Sequence, residues 1–204
     1  MARLPRLVIP GLPMHIMMCG NNRQQIFFDD QERRSFLEWL RDAAREYELA
    51  VHAYVLMPNH VHLLLTPKHA DSVARGMQSI GRRYAQLFNQ AHGRTGTLWE
   101  GRFKSCVLEP ESFFLRSLQY IEQNPVRTGL VQNPEDWFWS SYRHHIGAET
   151  VPWITDHVMY WNLGNTPFER QHRWQKDLLD SLPETDVMEV SDHLNHGWPL
   201  GSDI

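Results

Sequence analysis

The sequence predicts an α+β fold of the ferredoxin-like (split βαβ) type: an antiparallel sheet with helices on one face, then a helix bearing Tyr120 and a helical C-terminal extension. Three observations carry this. Short apolar runs alternate with longer stretches patterned every three or four residues; their order is β-α-β-β-α-β with a further helix appended; and the middle two strands are separated only by a Pro-Asn step.

PMHIMMC at 13–19 reads as the first strand, ended by the turn-prone GNNR at 20–23. Between Asp29 and Glu48, Phe36, Leu37, Leu40, Ala44 and Tyr47 recur at helical spacing behind acidic residues suited to a helix N-terminus. VHAYVLM (51–57) and HVHLLLT (60–66) are two strands joined tightly at Pro58-Asn59. Val73, Met77, Ile80, Tyr84 and Leu87 make 71–90 a second amphipathic helix. A loop with three glycines, HGRTGTLWEGR, precedes a strand at FKSCVLE. Pro110 opens a third helix through Phe113, Phe114, Leu118 and Ile121, which must end near Asn124 because Pro125 follows. Residues 1–133 thus read as a core domain, and 134–204 as a Trp-rich helical extension packed on it, with an acidic tail.

Composition bounds the function. Apolar residues at 42% and charged residues at 22% fit a soluble globular chain, and no run approaches the ~20 apolar residues that span a bilayer. MARLPRLVIPGLP lacks the uninterrupted apolar stretch of a signal peptide, and Cys19 and Cys106 are too few for a disulfide framework, so a cytoplasmic protein with reduced thiols is expected. The net charge of -4 conceals an asymmetry: residues 1–150 hold 17 Lys and Arg against 15 Asp and Glu, whereas 151–204 hold 3 against 9. Between Lys68 and Arg127, nine basic residues face five acidic ones, so a local basic surface for a polyanion survives the acidic tail.

Two histidines on one strand stand out. His60 and His62, two residues apart, point to the same side while Val61 points away, and paired imidazoles make half of a divalent metal site. On the third helix Tyr120 and Asn124 share a face and offer a phenol and a neutral oxygen ligand. Taken alone, Tyr120 equally suits a core aromatic and Asn124 a helix-ending residue. Together with a metal, a tyrosine can attack a phosphodiester and retain its energy in a covalent phosphotyrosine, which suits strand transfer.

HAYVLMPNHVHLLL, GRRYAQLFN, GRTGTLWEGRFKS, YIEQNPVR and WFWSSYRHH, in that order, resemble the REP-associated tyrosine transposases, members of the HUH single-tyrosine DNA nucleases. The resemblance runs from about Pro13 to about Leu163. It implies that His60 and His62 ligate Mg2+ or Mn2+, with Asn124 where relatives place a third ligand; the residues themselves leave Asn124, Glu122 or water open for that position. It further implies that Tyr120 attacks single-stranded DNA to give a 5′-phosphotyrosine. The partner implied is a REP-type palindromic hairpin preceded by a guide tetranucleotide, and the protein a cytoplasmic monomer. Two features depart from the pattern: Cys19 stands where relatives often carry arginine before GNNR, and NHGWPLGSDI resembles the start of a tail that continues in some relatives.

Strand binding is expected from Arg94, Arg102 and Lys104 interleaved with Trp99 and Phe103, because cations neutralise phosphates and aromatic faces stack bases. Trp99 alone suits a core plug as well. Arg82, Arg83 and Arg127 are expected to extend that surface, Arg23 to reach guide or hairpin, and the acidic tail after Glu184 to lie over the groove. Two rival functions remain open on the sequence: a hairpin-binding protein that no longer cuts, and a ferredoxin-like RNA-binding module, which leaves His60, His62 and Tyr120 unexplained.

Overall fold

Alternation along the strands decides what each face of the sheet holds. In the computed structural model, which describes residues 6–201 and 204, strand β1 (Met14–Cys19) sends Met14, Ile16 and Met18 to one side and His15 and Met17 to the other. Positions 1–5 of the opening segment and 202–203 of the ending quoted above lie outside the described residues. Strand β3 (His60–Pro67) likewise divides Val61, Leu63 and Leu65 from His60, His62 and Leu64. With β2 (Leu49–Leu56) and β4 (Lys104–Val107) they form an antiparallel sheet of order β2-β3-β1-β4, the split βαβ order. Across the tight β2–β3 connection, Met57 N donates to the carbonyl of His60 (2.9 Å).

Helices α1 (Asp30–Glu46) and α2 (Ser72–Ala91) cover the face of Ile16, Val61 and Leu63 with Phe36, Leu40, Ile80, Tyr84 and Phe88. The opposite face takes α3 (Pro110–Glu122), whose Phe114, Leu118 and Ile121 pack with Ala53, Val55 and Leu64. As expected, α3 stops before Pro125, but the chain does not turn away. Gln123 keeps a helical backbone (φ −82°, ψ −7°), and a single further turn, α4 (Asn124–Arg127), carries Pro125 in its first turn, where a missing N–H costs little.

The remaining helices are α5 (Tyr142–His145), α6 (Val158–Trp161), α7 (Pro167–Asp177) and α8 (Glu184–His196). Their Tyr142, Tyr160, Trp174, Val190 and Leu194 join the α3 core. The extension also covers the sheet's edges. Along β2, Leu56 N donates to the Trp139 carbonyl (2.8 Å), Ser141 N to that of Tyr54 (2.9 Å) and Thr155 N to that of Val51 (2.8 Å). At β4, Leu200 N donates to the Val107 carbonyl and Glu109 N to that of Leu200, both at 2.8 Å. Of the acidic tail expected over the basic groove, Asp186 and Glu189 of α8 pair with Arg116 of α3 at 3.2 and 2.8 Å, and Arg116 lines neither cavity described below.

Candidate active site

His60 and His62 present their Nε2 atoms because their Nδ1 atoms are engaged elsewhere. His60 Nδ1 donates to Asn59 Oδ1 (2.7 Å), and the Asn59 amide donates to the Arg23 carbonyl (3.3 Å), which turns its oxygen toward the ring. An amide oxygen only accepts, so the His60 proton sits on Nδ1 and the lone pair on Nε2. His62, 2% exposed, sets its Nδ1 2.9 Å from His15 Nε2 on the neighbouring strand. Burial, with a smaller contribution from the Arg127 charge, lowers His60 to about 4; burial, then His15 and His60, holds His62 well below the ordinary imidazole value. Both are therefore neutral near pH 7, as metal ligands must be.

Helix α3 crosses above this pair. The Tyr120 ring lies 5.7 Å from His62 and 5.5 Å from His15, centroid to centroid, and the Arg127 guanidinium stacks 4.1 Å from its centre. Arg127 also donates to the Tyr120 backbone carbonyl (3.3 Å), so one side chain holds both the ring and the last turn of α3. Asn124 is 3% exposed, and its amide, which makes no hydrogen bond to any described residue, opens into the cavity rather than into the core. Glu122 is no candidate ligand. Its carboxylate is fully buried on the far side of α3, accepting from Ser141 Oγ (2.5 Å), His145 Nδ1 (2.6 Å) and Trp174 Nε1 (2.8 Å).

These groups open into one cavity of about 740 Å³, lined by His60, His62, Tyr120 and Asn124 together with Arg23, Lys104 and Arg127. Among the described residues no three His, Cys, Asp or Glu side chains converge, so the donor set for a cation is two neutral imidazole nitrogens and the free Asn124 amide oxygen. That set can hold a divalent cation with positions left for water and phosphate oxygens; imidazole suits Zn2+ as well as Mn2+, so Mg2+ or Mn2+ rests on the family resemblance and not on these donors.

A second cavity of about 770 Å³ adjoins the first through Cys19 and Glu100, between α2 and the glycine loop. Met18, Met77, Trp99 and Phe103 wall it, and Arg82 and Arg102 stand at it. Trp99 is half-buried and donates from Nε1 to the Gly81 carbonyl (2.8 Å), so it is both packed and part of the wall. Gly81 leaves room for this, since a Cβ there would sit 3.2 Å from Met18 and 3.5 Å from the indole nitrogen. Arg83 and Arg94 line neither cavity: Arg83 stacks on Trp39 and Arg94 on Phe88.

Sequence reasoning did not single out His15, Asn59 or Asn195. Asn195, near the end of α8, accepts from Lys104 Nζ (2.8 Å) at the cavity wall. Only His15 left a signal, as a polar residue on the same face as Met17 in an otherwise apolar strand.

Known proteins carry related sequence and architecture. A REP-associated tyrosine transposase of Escherichia coli K12 is 26% identical over 67% of this chain and 80% of its own length. A relative of the same description from Haemophilus influenzae is 25% identical over 55% of this chain and 69% of its own. The solved structure of a REP-associated tyrosine transposase bound to a REP hairpin aligns with 77% of this chain and 92% of that one, at TM-score 0.58 and 21% identity, and so shares the fold. The resemblance drawn from the ordered motifs is thereby met in sequence and in architecture. Residues 9–124, which carry the whole sheet, both histidines and the tyrosine helix, match the model of the IS200-like transposases, and the chain belongs to that family of enzymes.

Proposed function

We propose that this transposase is a metal-dependent single-stranded DNA endonuclease and strand transferase, with Tyr120 as its nucleophile and REP-type hairpins preceded by a guide tetranucleotide as its substrate. The observation that carries the proposal is the juxtaposition of Tyr120 with the freed Nε2 face of His60 and His62 in one open cavity. A Mg2+ or Mn2+ held there by His60, His62 and Asn124 would supply charge neutralisation and orientation of the scissile phosphate.

The chain's own groups account for the rest. Tyr120 Oη attacks phosphorus and gives up its proton to solvent. The bond to the 3′ oxygen breaks, that oxygen takes up a proton, and a 5′-phosphotyrosine remains. Arg127 fixes the ring and brings a positive charge beside the attacking oxygen, while Arg23 and Lys104 meet the strand entering the cavity. Arg82, Trp99 and Arg102 extend the path along the second cavity, where Met18, Met77 and Phe103 offer apolar surface to unpaired bases.

The test is a denaturing gel with a labelled single-stranded hairpin oligonucleotide, run with Mn2+ or a chelator, for the native protein and Tyr120→Phe. A covalent band that needs the metal and vanishes in the variant supports the proposal. Hairpin retention without an adduct overturns cleavage and leaves a binding protein. Equal retention of RNA of matching sequence overturns the DNA assignment.

A further inference from the structure

His15 is a fully buried imidazole on a central strand, touching both His62 and Tyr120, and no step above uses it. Register explains the contact. Met17 lies opposite His62 and His15 opposite Leu64, so His15 meets His62 on the diagonal of the same sheet face, within reach of long side chains. The rings stand 5.0 Å apart at 52°, with Nε2 of His15 2.9 Å from Nδ1 of His62.

We infer that His15 is a positioning residue that orients the His62 ring and accepts its Nδ1 proton in the arrangement that leaves Nε2 able to bind a cation. The inference rests on the metal role proposed for His62. Two neutral imidazoles share one contact, and one proton must lie in it. If His62 Nδ1 donates to His15 Nε2, the lone pair of His62 is on Nε2, facing the cavity. If His15 donates instead, His62 carries its proton on Nε2 and cannot ligate.

The second arrangement is blocked for His60, whose Nδ1 faces an amide oxygen, but not for His62, whose partner can act either way. His15 Nδ1 has no hydrogen-bond partner in the described structure, so neither tautomer of His15 is fixed from behind. The preference of the pair is thus set between the two rings, and loading the site selects the arrangement in which His15 accepts. A carboxylate would orient His62 more strongly, but at this fully buried place it would need its own charge partner.

The experiment measures Mn2+ uptake by the full chain through the electron paramagnetic resonance of free Mn2+. His15→Phe keeps a ring of similar size and removes the acceptor; His15→Gln restores an acceptor oxygen. The expected result is a 10–100-fold weaker Mn2+ affinity in His15→Phe, the usual cost of losing the partner of a ligating histidine, with recovery in His15→Gln. Native affinity in a folded His15→Phe overturns the inference while leaving the metal reading intact. No Mn2+ uptake by the native protein overturns both. Nitrogen-15 spectra of the native Mg2+-loaded protein test the same point without a substitution: His62 protonated at Nδ1 is expected, and protonation at Nε2 overturns it.

Discussion

The Glu122 carboxylate and the His145 ring meet 2.6 Å apart with neither open to solvent, joining the tyrosine helix to the C-terminal extension. Two further donors, Ser141 and Trp174, complete the carboxylate's hydrogen bonds, so α3 is held from behind while Tyr120 and Asn124 face the cavity. Glu122→Ala leaves His145 Nδ1 and Trp174 Nε1 buried without an acceptor, while Ser141 can turn to the Tyr54 carbonyl, and it is expected to lower stability by about 3 kcal/mol or more, with Glu122→Gln milder. Urea denaturation checks this; a loss below about 0.5 kcal/mol for both variants refutes the buried lock.

Acid should loosen the protein over a defined window. Burial lowers His15 to about 3, His52 and His60 to about 4, and His62 well below its ordinary value. Unfolded histidines take up protons as pH falls through about 6.5, whereas these folded ones do not, so the unfolded state binds more protons and stability rises with pH. The stabilisation is fully present above about pH 6.5 and declines as pH falls toward about 4, each histidine contributing a slope that approaches about 1.4 kcal/mol per pH unit. Urea midpoints measured from pH 7.5 down to 4.5 should fall steadily below 6.5; midpoints constant to pH 5 contradict it.

Arg127 is placed to govern the nucleophile rather than merely to attract DNA. Its guanidinium carbon lies 4.1 Å from the centre of the Tyr120 ring, and the group donates to the Tyr120 carbonyl. Arg127→Lys keeps the charge but loses the planar stacking fork, so it should not rescue Arg127→Ala. Both variants are expected to slow adduct formation at least tenfold while weakening hairpin affinity much less. If the lysine variant cleaves at the native rate, charge alone is at work.

The arginines should separate by salt dependence. Arg82 and Arg102 line the second cavity, whereas Arg83 and Arg94 are stacked on Trp39 and Phe88 outside both. Replacing either of the first two by alanine should reduce the slope of log affinity against log salt for a single strand by about 0.7, one phosphate contact each. The other two should leave the slope unchanged. Equal slope losses at all four positions mean that the strand does not follow the cavities.

Much of this was legible in the sequence for reasons that can be stated. Strand pairs and amphipathic helices follow from local periodicity, so the split βαβ order and the shared face of His60 and His62 could be read directly. The approach of Tyr120 to those histidines was legible only as a possibility of the fold, because it depends on how α3 crosses the sheet. Glu122 remained one of three options for a metal ligand. Its true partners Ser141, His145 and Trp174 lie up to 52 residues away, and nothing local announces them. The same holds for α8, whose negative charge suggested a cover for the basic groove but whose Asp186 and Glu189 are matched to Arg116. Charge counts give the sign of a surface and not its direction.

Residues 139–141 and 155 lie along β2, and Leu200 lies beside β4. A strand edge is a template of unpaired donors and acceptors, and here one stretch of chain has occupied both templates. Two copies of this protein therefore cannot join by extending one sheet into the other without first peeling away their own C-terminal extension. A fragment cut where the family match ends would lose this protection as well as half its α3 core. It would expose two adhesive margins, and is expected to form assemblies rather than behave as a minimal nuclease.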